Sequence, residues 1–206
     1  MYKRYVKRIL DFVFAIILII ILSPIMVIAA IAIKIEDSNG PVLFKQKRLG
    51  KDAKIFTVYK FRTMKVETEK DGKPLTDMER MTKVGSILRK ISIDELPQIF
   101  NIFRGEMSFI GPRPLLVQYL ELYTPEQMRR HEVLPGISGW AQVNGRNAIS
   151  WEEKFKLDVW YVDNQSFLID LKILFMTIYN ILKREGINNS QGDTMPTFRG
   201  NEFNNK

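Results

Sequence analysis

Residues 12–33 read FVFAIILIIILSPIMVIAAIAI, without one charge. As a straight helix this run would be about 33 Å long, enough to cross the hydrocarbon core of a bilayer. It is too long for a cleavable signal peptide, and no small-residue cleavage site with a new polar start follows it. Ser23 and Pro24 interrupt it midway. Proline removes a backbone donor and crowds the carbonyl four residues earlier, so a kink or a full break is expected there.

Beyond the run the periodicity changes. Residues 41–64, PVLFKQKRLGKDAKIFTVYKFRTM, predict two strands joined around Gly50, with Lys60 and Arg62 on the same face as Phe56 and Val58. Residues 65–80 are polar and read as a loop. Apolar positions recur at helical spacing over 92–103, ahead of Gly105 and the GPRP of residues 111–114. A further helix is predicted over about 115–131. The glycine-punctuated LPGISGWAQVNGRN that follows reads as loop and short strand. Residues 151–161 and 167–183 carry aromatic-rich helical patterns, which fit either the membrane interface or a place against the core. From residue 186 the composition is that of a disordered end. No repeat is present, and one globular unit is the default expectation for 206 residues.

Charge decides how the apolar run meets a membrane. Lys3, Arg4, Lys7 and Arg8 precede it, and Lys34, Lys45, Lys47, Arg48, Lys51 and Lys54 follow it, so the positive-inside rule draws both ends to the cytoplasm. A straight span cannot satisfy both flanks. A helix that enters, turns at Ser23 and Pro24 and leaves by the same face can; an ordinary kinked span remains the alternative. Over the whole chain, 31 Lys and Arg against 23 Asp and Glu give a net charge of +8, which suits a partner bearing phosphates. With no cysteine and one histidine, disulfides, thiolate metal sites and a zinc cluster are excluded.

Few groups are then left to carry chemistry. In SIDELPQ, Ser92 and Glu95 have the spacing of a capping box, so the plain reading is that Asp94 and Glu95 cap a helix. The alternative reading uses the same position: near a helix start, free N–H groups stabilise a carboxylate or a phosphate, and such a carboxylate can attack phosphorus. In GPRP, Pro112 and Pro114 stiffen the backbone around Arg113, which suits bidentate phosphate recognition or an ordinary solvated turn. Asn144, Gly145 and Arg146 offer a second arginine on a tight turn. Lys60 and Arg89 are further cations that could converge. Asp158 and His131 read most simply as solvated surface residues.

The basic start with its Ser-Pro-interrupted run, KFRTM at 60–64, ISIDELPQ at 91–98, GEMSFIGPRPLL at 105–116 and PGISGWAQVNGRN at 135–147 together resemble the bacterial sugar transferase family, the monotopic phosphoglycosyl transferases. The resemblance runs in order to about residue 185. It implies an α+β, mostly helical monotopic membrane protein with a re-entrant helix-break-helix hinged at Ser23 and Pro24, a small β-hairpin and interfacial amphipathic helices. The organisation it implies is a re-entrant helix over 1–35, a cytosolic core over 36–185 and a flexible tail over 186–206. The chain looks like the short form of the family, starting directly at the re-entrant segment.

The activity implied is transfer of a phosphosugar from a UDP-sugar to polyprenyl (undecaprenyl) phosphate at the cytoplasmic face of the bacterial inner membrane. Asp94 would be the nucleophile, attacking the β-phosphate, releasing UMP and holding the phosphosugar. Glu95 would orient or accept a proton. Lys60, Arg89, Arg113 and Arg146 would bind phosphate or substrate. Mg²⁺ would be the cofactor, with Asp94 touching it. The stretch GRNAISWEEKF points to an N-acetylated amino or diamino-deoxy sugar, with another UDP-linked sugar as the alternative. Nucleic acid is not an expected partner, and a homodimer is allowed. Two other classes compete: a glycosyltransferase moving the sugar alone, which would release UDP, and a basic membrane-surface or nucleic-acid-binding protein, which would leave Asp94, Glu95 and Arg113 without purpose.

Overall fold

The computed structural model describes residues 1–70, 72–145, 149–183 and 197–200. A π-helical turn over Tyr2–Val6 leads into α1, Lys7–Glu36. These 30 residues are long and apolar enough to cross a membrane, and Ile20, Ile21, Val27 and Ile28 lie exposed along them. The helix continues through Pro24 rather than breaking there. The reason is local. Pro24 lacks the N–H that would bond the Ile20 carbonyl, and the Ser23 hydroxyl donates to that carbonyl instead, at 2.9 Å.

Strands β1 (Leu43–Leu49) and β2 (Ile55–Phe61) pair as the hairpin that the alternation predicts. Its turn closes where the Gly50 N–H donates to the Lys54 carbonyl at 2.8 Å. The polar loop expected over 65–80 contains more order than that. β3 (Glu69–Lys70) and β4 (Lys73–Pro74) pair antiparallel, and α2 (Asp77–Arg80) starts from a capping box made by Thr76 and Glu79. Next come α3 (Lys83–Lys90), a 3₁₀ turn over Ile93–Glu95 and α4 (Gln98–Arg104). Ser92 does not cap a helix: it sits at φ 57°, in the left-handed region, and its side chain makes no capping bond. The helix expected over 92–103 therefore starts only at Gln98, just past Pro97.

Strands β5 (Ser108–Ile110) and β6 (Gly136–Ser138) pair in parallel, Ser108 opposite Gly136 and Ile110 opposite Ser138. Between them the single helix expected over 115–131 is in fact three pieces. A 3₁₀ stretch over Val117–Leu122 ends before Thr124, which caps α5 (Pro125–Met128), and a 3₁₀ turn follows over Arg129–His131. Pro125 cannot donate to a preceding helical turn, so the chain restarts there with proline at the first position. After α6 (Trp140–Asn144) come α7 (Trp151–Asn164) and α8 (Phe167–Leu182), capped by the hydroxyls of Ser150 and Ser166.

The chain forms two compact units that cut across its sequence. One comprises Met1–Phe12, Lys47–Phe56 and Ile102–Lys206. It is built on Ile110, Tyr161 and Ile173 and on an aromatic cluster of Tyr119, Trp151, Phe155 and Phe198. Phe198 lies within the stretch read as a tail, yet it is buried. The start of the chain is fastened in this unit by the buried carboxylate of Asp170, which pairs with Lys7 Nζ at 2.5 Å and accepts the hydroxyls of Tyr2 and Tyr161. α8 buries Asp170 and Ile173 but exposes Leu168, Phe175, Tyr179 and Leu182.

The other unit comprises Val13–Gln46 and Thr57–Asn101. Its core is Met26, Ala29 and Ile33 of α1 with Phe61 and Leu88, and Ile93 and Leu96 pack against it. α3 approaches the end of β2 closely because Gly85 has no side chain: a Cβ there would lie 2.1 Å from the Thr63 carbonyl oxygen. The contact is sealed by the Thr82 N–H, which donates to the same carbonyl at 3.1 Å.

Candidate active site

The second unit brings four of the predicted residues together. β2 presents Lys60, α3 presents Arg89 near its C-terminal end, and the 3₁₀ turn presents Asp94 and Glu95. Lys60 Nζ pairs with Glu95 Oε1 at 2.6 Å, both side chains about a quarter exposed. Glu95 thus reaches across to a cation instead of back to Ser92. Arg89 is held by its Nε, which donates to the Thr63 hydroxyl at 2.9 Å. Burial pushes the Asp94 carboxyl above the usual aspartate range and the negative charge of Glu95 adds to the rise, while Lys60 and Arg89 pull it back. Asp94 is therefore a half-buried carboxylate that senses one acid and two cations, all on short, braced elements. A left-handed non-glycine residue two positions before it, at Ser92, is local strain of the kind that gathers at functional sites.

Chemically, this group offers a nucleophilic or metal-binding oxygen beside cations that can take phosphate charge. Among the described residues no three His, Asp or Glu side chains gather as a metal cage. The oxygens of Asp94 and Glu95 fit Mg²⁺ nonetheless, because that ion takes one or two carboxylates and completes its shell with waters and substrate phosphates. With Glu95 Oε1 engaged by Lys60, Asp94 is the better ligand of the two.

Arg113 belongs to the first unit, and Arg146 lies outside the described residues. Arg113 is exposed on the loop between β5 and the 3₁₀ stretch, its neighbours Gly111 and Pro112 buried. The loop is braced from below. The buried guanidinium of Arg130 donates to the Arg113 carbonyl at 2.8 Å and to Asp158 Oδ2 at 2.8 and 3.0 Å. Beneath it three glycines meet, and a Cβ on Gly136 or Gly139 would fall 2.1 Å from the backbone of Gly111. Lys154, on the ring of Trp151 at 4.6 Å, is lowered by burial to about 8.

Two surface assignments are overturned here. Asp158 is buried against Arg130, and His131 is buried with its Nδ1–H donating to the Gly50 carbonyl at 3.0 Å. For Asp158 a signal existed: with Trp151, Phe155 and Val162 it occupies the inward face of α7 at helical spacing.

A compact acid-and-cation site of this kind, beside an apolar helix of membrane length, suits chemistry on phosphate-bearing substrates. The chain belongs to the bacterial sugar transferase family, whose profile matches residues 2–184. It is 54% identical over 196 residues to the sugar transferase EpsL of Bacillus subtilis, covering 94% of this chain and 96% of that one. It is 44% identical to the UDP-N-acetylgalactosamine-undecaprenyl-phosphate N-acetylgalactosaminephosphotransferase of Aeromonas hydrophila, over 86% of this chain and 44% of that protein. With the UDP-glucose:undecaprenyl-phosphate glucose-1-phosphate transferase of Escherichia coli the identity is 41%, over 86% of this chain and 40% of that protein. The chain thus spans less than half the length of these last two.

Proposed function

We propose that the protein transfers a phosphosugar from a UDP-sugar to polyprenyl phosphate through a covalent intermediate on Asp94. The observation that carries this reading is the turn Ile93–Glu95, where Asp94 stands half-buried between Glu95, Lys60 and Arg89. The names of the relatives from Aeromonas and Escherichia, both acting between a UDP-sugar and undecaprenyl phosphate, support the same substrates.

An Asp94 oxygen attacks the β-phosphorus of the nucleotide sugar, and the bond from that phosphorus to the bridging oxygen breaks, so UMP leaves. A phosphate oxygen of the lipid then attacks the same phosphorus, and the acyl-phosphate bond breaks to restore the Asp94 carboxylate. Lys60, Arg89, Arg113 and Arg146 bind the phosphates, and Glu95, tethered by Lys60, orients the reacting group. Mg²⁺, held by Asp94 and the substrate, would neutralise diphosphate charge. The sugar is an N-acetylated amino or diamino-deoxy sugar. α1 holds the enzyme at the cytoplasmic face of the bacterial inner membrane, bending at Ser23 and Pro24 while staying helical, so that both basic flanks keep to that face.

Incubation with UDP-sugar and Mg²⁺ but no lipid acceptor should release at most one UMP per enzyme and leave the chain heavier by a phosphosugar. Asp94→Asn should abolish both. Because the attacking carboxyl must be ionised and burial raises its pKa, the rate should fall on the acid side at a pH above the ordinary aspartate value of about 3.9. UMP that forms only when lipid is present, with no gain in mass, would refute the covalent step. Release of UDP in place of UMP would refute the reaction class.

A further inference from the structure

We propose that Glu36 and Asp37, the acids at the exit of α1, are positioning residues that lock the catalytic turn to the apolar helix and so set the height of Asp94 above the bilayer. The proposal rests on the lipid-linked reaction proposed above, and concerns only the second unit.

The two acids grip the two elements that carry the catalytic cations. Glu36 accepts the first two N–H groups of α3, from Lys83 and Val84, at 2.7 Å each, one on each carboxylate oxygen. The Thr82 hydroxyl takes the third, from Gly85, at 2.9 Å. A helix start whose orphan donors are met by a side chain from another helix is fixed to that helix. α3 bears Arg89 and runs directly into the turn with Asp94. Asp37 grips the residue just past the end of β2: its carboxylate pairs with Arg62 Nη1, its carbonyl accepts Arg62 Nη2 at 2.7 Å, and Arg62 Nε donates to the Pro41 carbonyl at 2.8 Å. Arg62 stands two residues from Lys60 and next to Thr63, which holds Arg89.

Between these grips the packing continues. Met26, Ala29 and Ile33 of α1 lie in one core with Phe61, the residue between Lys60 and Arg62, and with Leu88, the residue before Arg89. Ile93 and Leu96, which flank Asp94 and Glu95, pack on the same core. The catalytic turn is therefore mounted on the half of α1 beyond Pro24, and the polar grips stop it from sliding or rotating on that apolar surface. A soluble nucleotide sugar can reach Asp94 at any height. A phosphate fixed to the membrane by its prenyl chain reaches it at one height only, so the second half-reaction is the one that depends on the grips.

The test uses the full chain in lipid nanodiscs, as Glu36→Ala and as Glu36→Ala with Asp37→Asn. Lipid-free UMP release should stay within about two-fold of the parent, while turnover with long-chain polyprenyl phosphate falls about ten-fold or more in the double variant. A short-chain, water-soluble prenyl phosphate should restore turnover, because it can follow the displaced site. Since the chain has no cysteine, a spin label on Lys90→Cys, an exposed position, reads membrane depth without activity. The label should show one depth in the parent and a shifted or divided depth in the double variant. Unchanged depth, or equal losses in both half-reactions and with both acceptors, would overturn the proposal. A parent without the UMP burst would refute the covalent reading alone, and the depth measurement would still decide the role of the two acids.

Discussion

Asp158→Asn separates what the buried ion pair does for stability from what it does for Arg113. The Arg130 and Asp158 side chains are each 2% exposed and share contacts of 2.8 and 3.0 Å. Removing one charge strands the other in a low-dielectric place, a loss of roughly 3–5 kcal/mol, and asparagine, which keeps one acceptor, should sit near the lower end. For a chain of this size that is a fall of about 6–12 °C in Tm, readable by thermal unfolding in detergent. Replacing both residues by apolar ones of similar size, as Arg130→Met with Asp158→Leu, should recover most of that loss, because it removes the desolvation cost together with the pair. The recovered protein would still lack the bond from Arg130 to the Arg113 carbonyl. If that bond aims Arg113, UMP release should remain three- to ten-fold low, which is about what one hydrogen bond is worth. An Asp158→Asn protein within about 1 kcal/mol of the parent would refute the burial argument. A stable double variant with full activity would refute the link to Arg113.

His131 supplies a pH dependence. Burial holds it down to about 4, and the charge of Arg130 adds to the effect, against an unfolded value of about 6.5. The folded state prefers the neutral ring, so its contribution is complete above pH 6.5 and is lost as pH falls toward 4, about 3 kcal/mol in all; His131→Gln should flatten unfolding curves taken between pH 7.5 and 4.5. Gly85→Ala, which in an open helix would stabilise by up to about 1 kcal/mol, should instead cost about 1–3 kcal/mol, because the new Cβ meets the Thr63 backbone. An alanine variant more stable than the parent would refute the close approach.

What the order of residues determined alone is what depends on near neighbours. The apolar run of α1, the alternation of β1 and β2 and the periodicity of α7 and α8 are short-range patterns, and each is legible because its period states which face is buried. The five motifs were enough to place the chain in its family. Where a local signal had a competitor elsewhere in the fold, the local signal lost. Ser92 and Glu95 have capping-box spacing, but Lys60, 35 residues away, offers Glu95 a full charge in place of one neutral N–H. Pro97 and Pro125 each moved or divided a predicted helix, since a missing donor forbids continuation whatever the apolar pattern asks. The fates of Asp158 and His131 turned on Arg130 and on the Gly50 carbonyl, partners that no spacing announces. The roles of Glu36, as the cap of a helix 47 residues later, and of Phe198, as part of an aromatic core, were likewise decided only by tertiary packing, because a hydrogen bond or a ring contact between distant residues leaves no period in the chain.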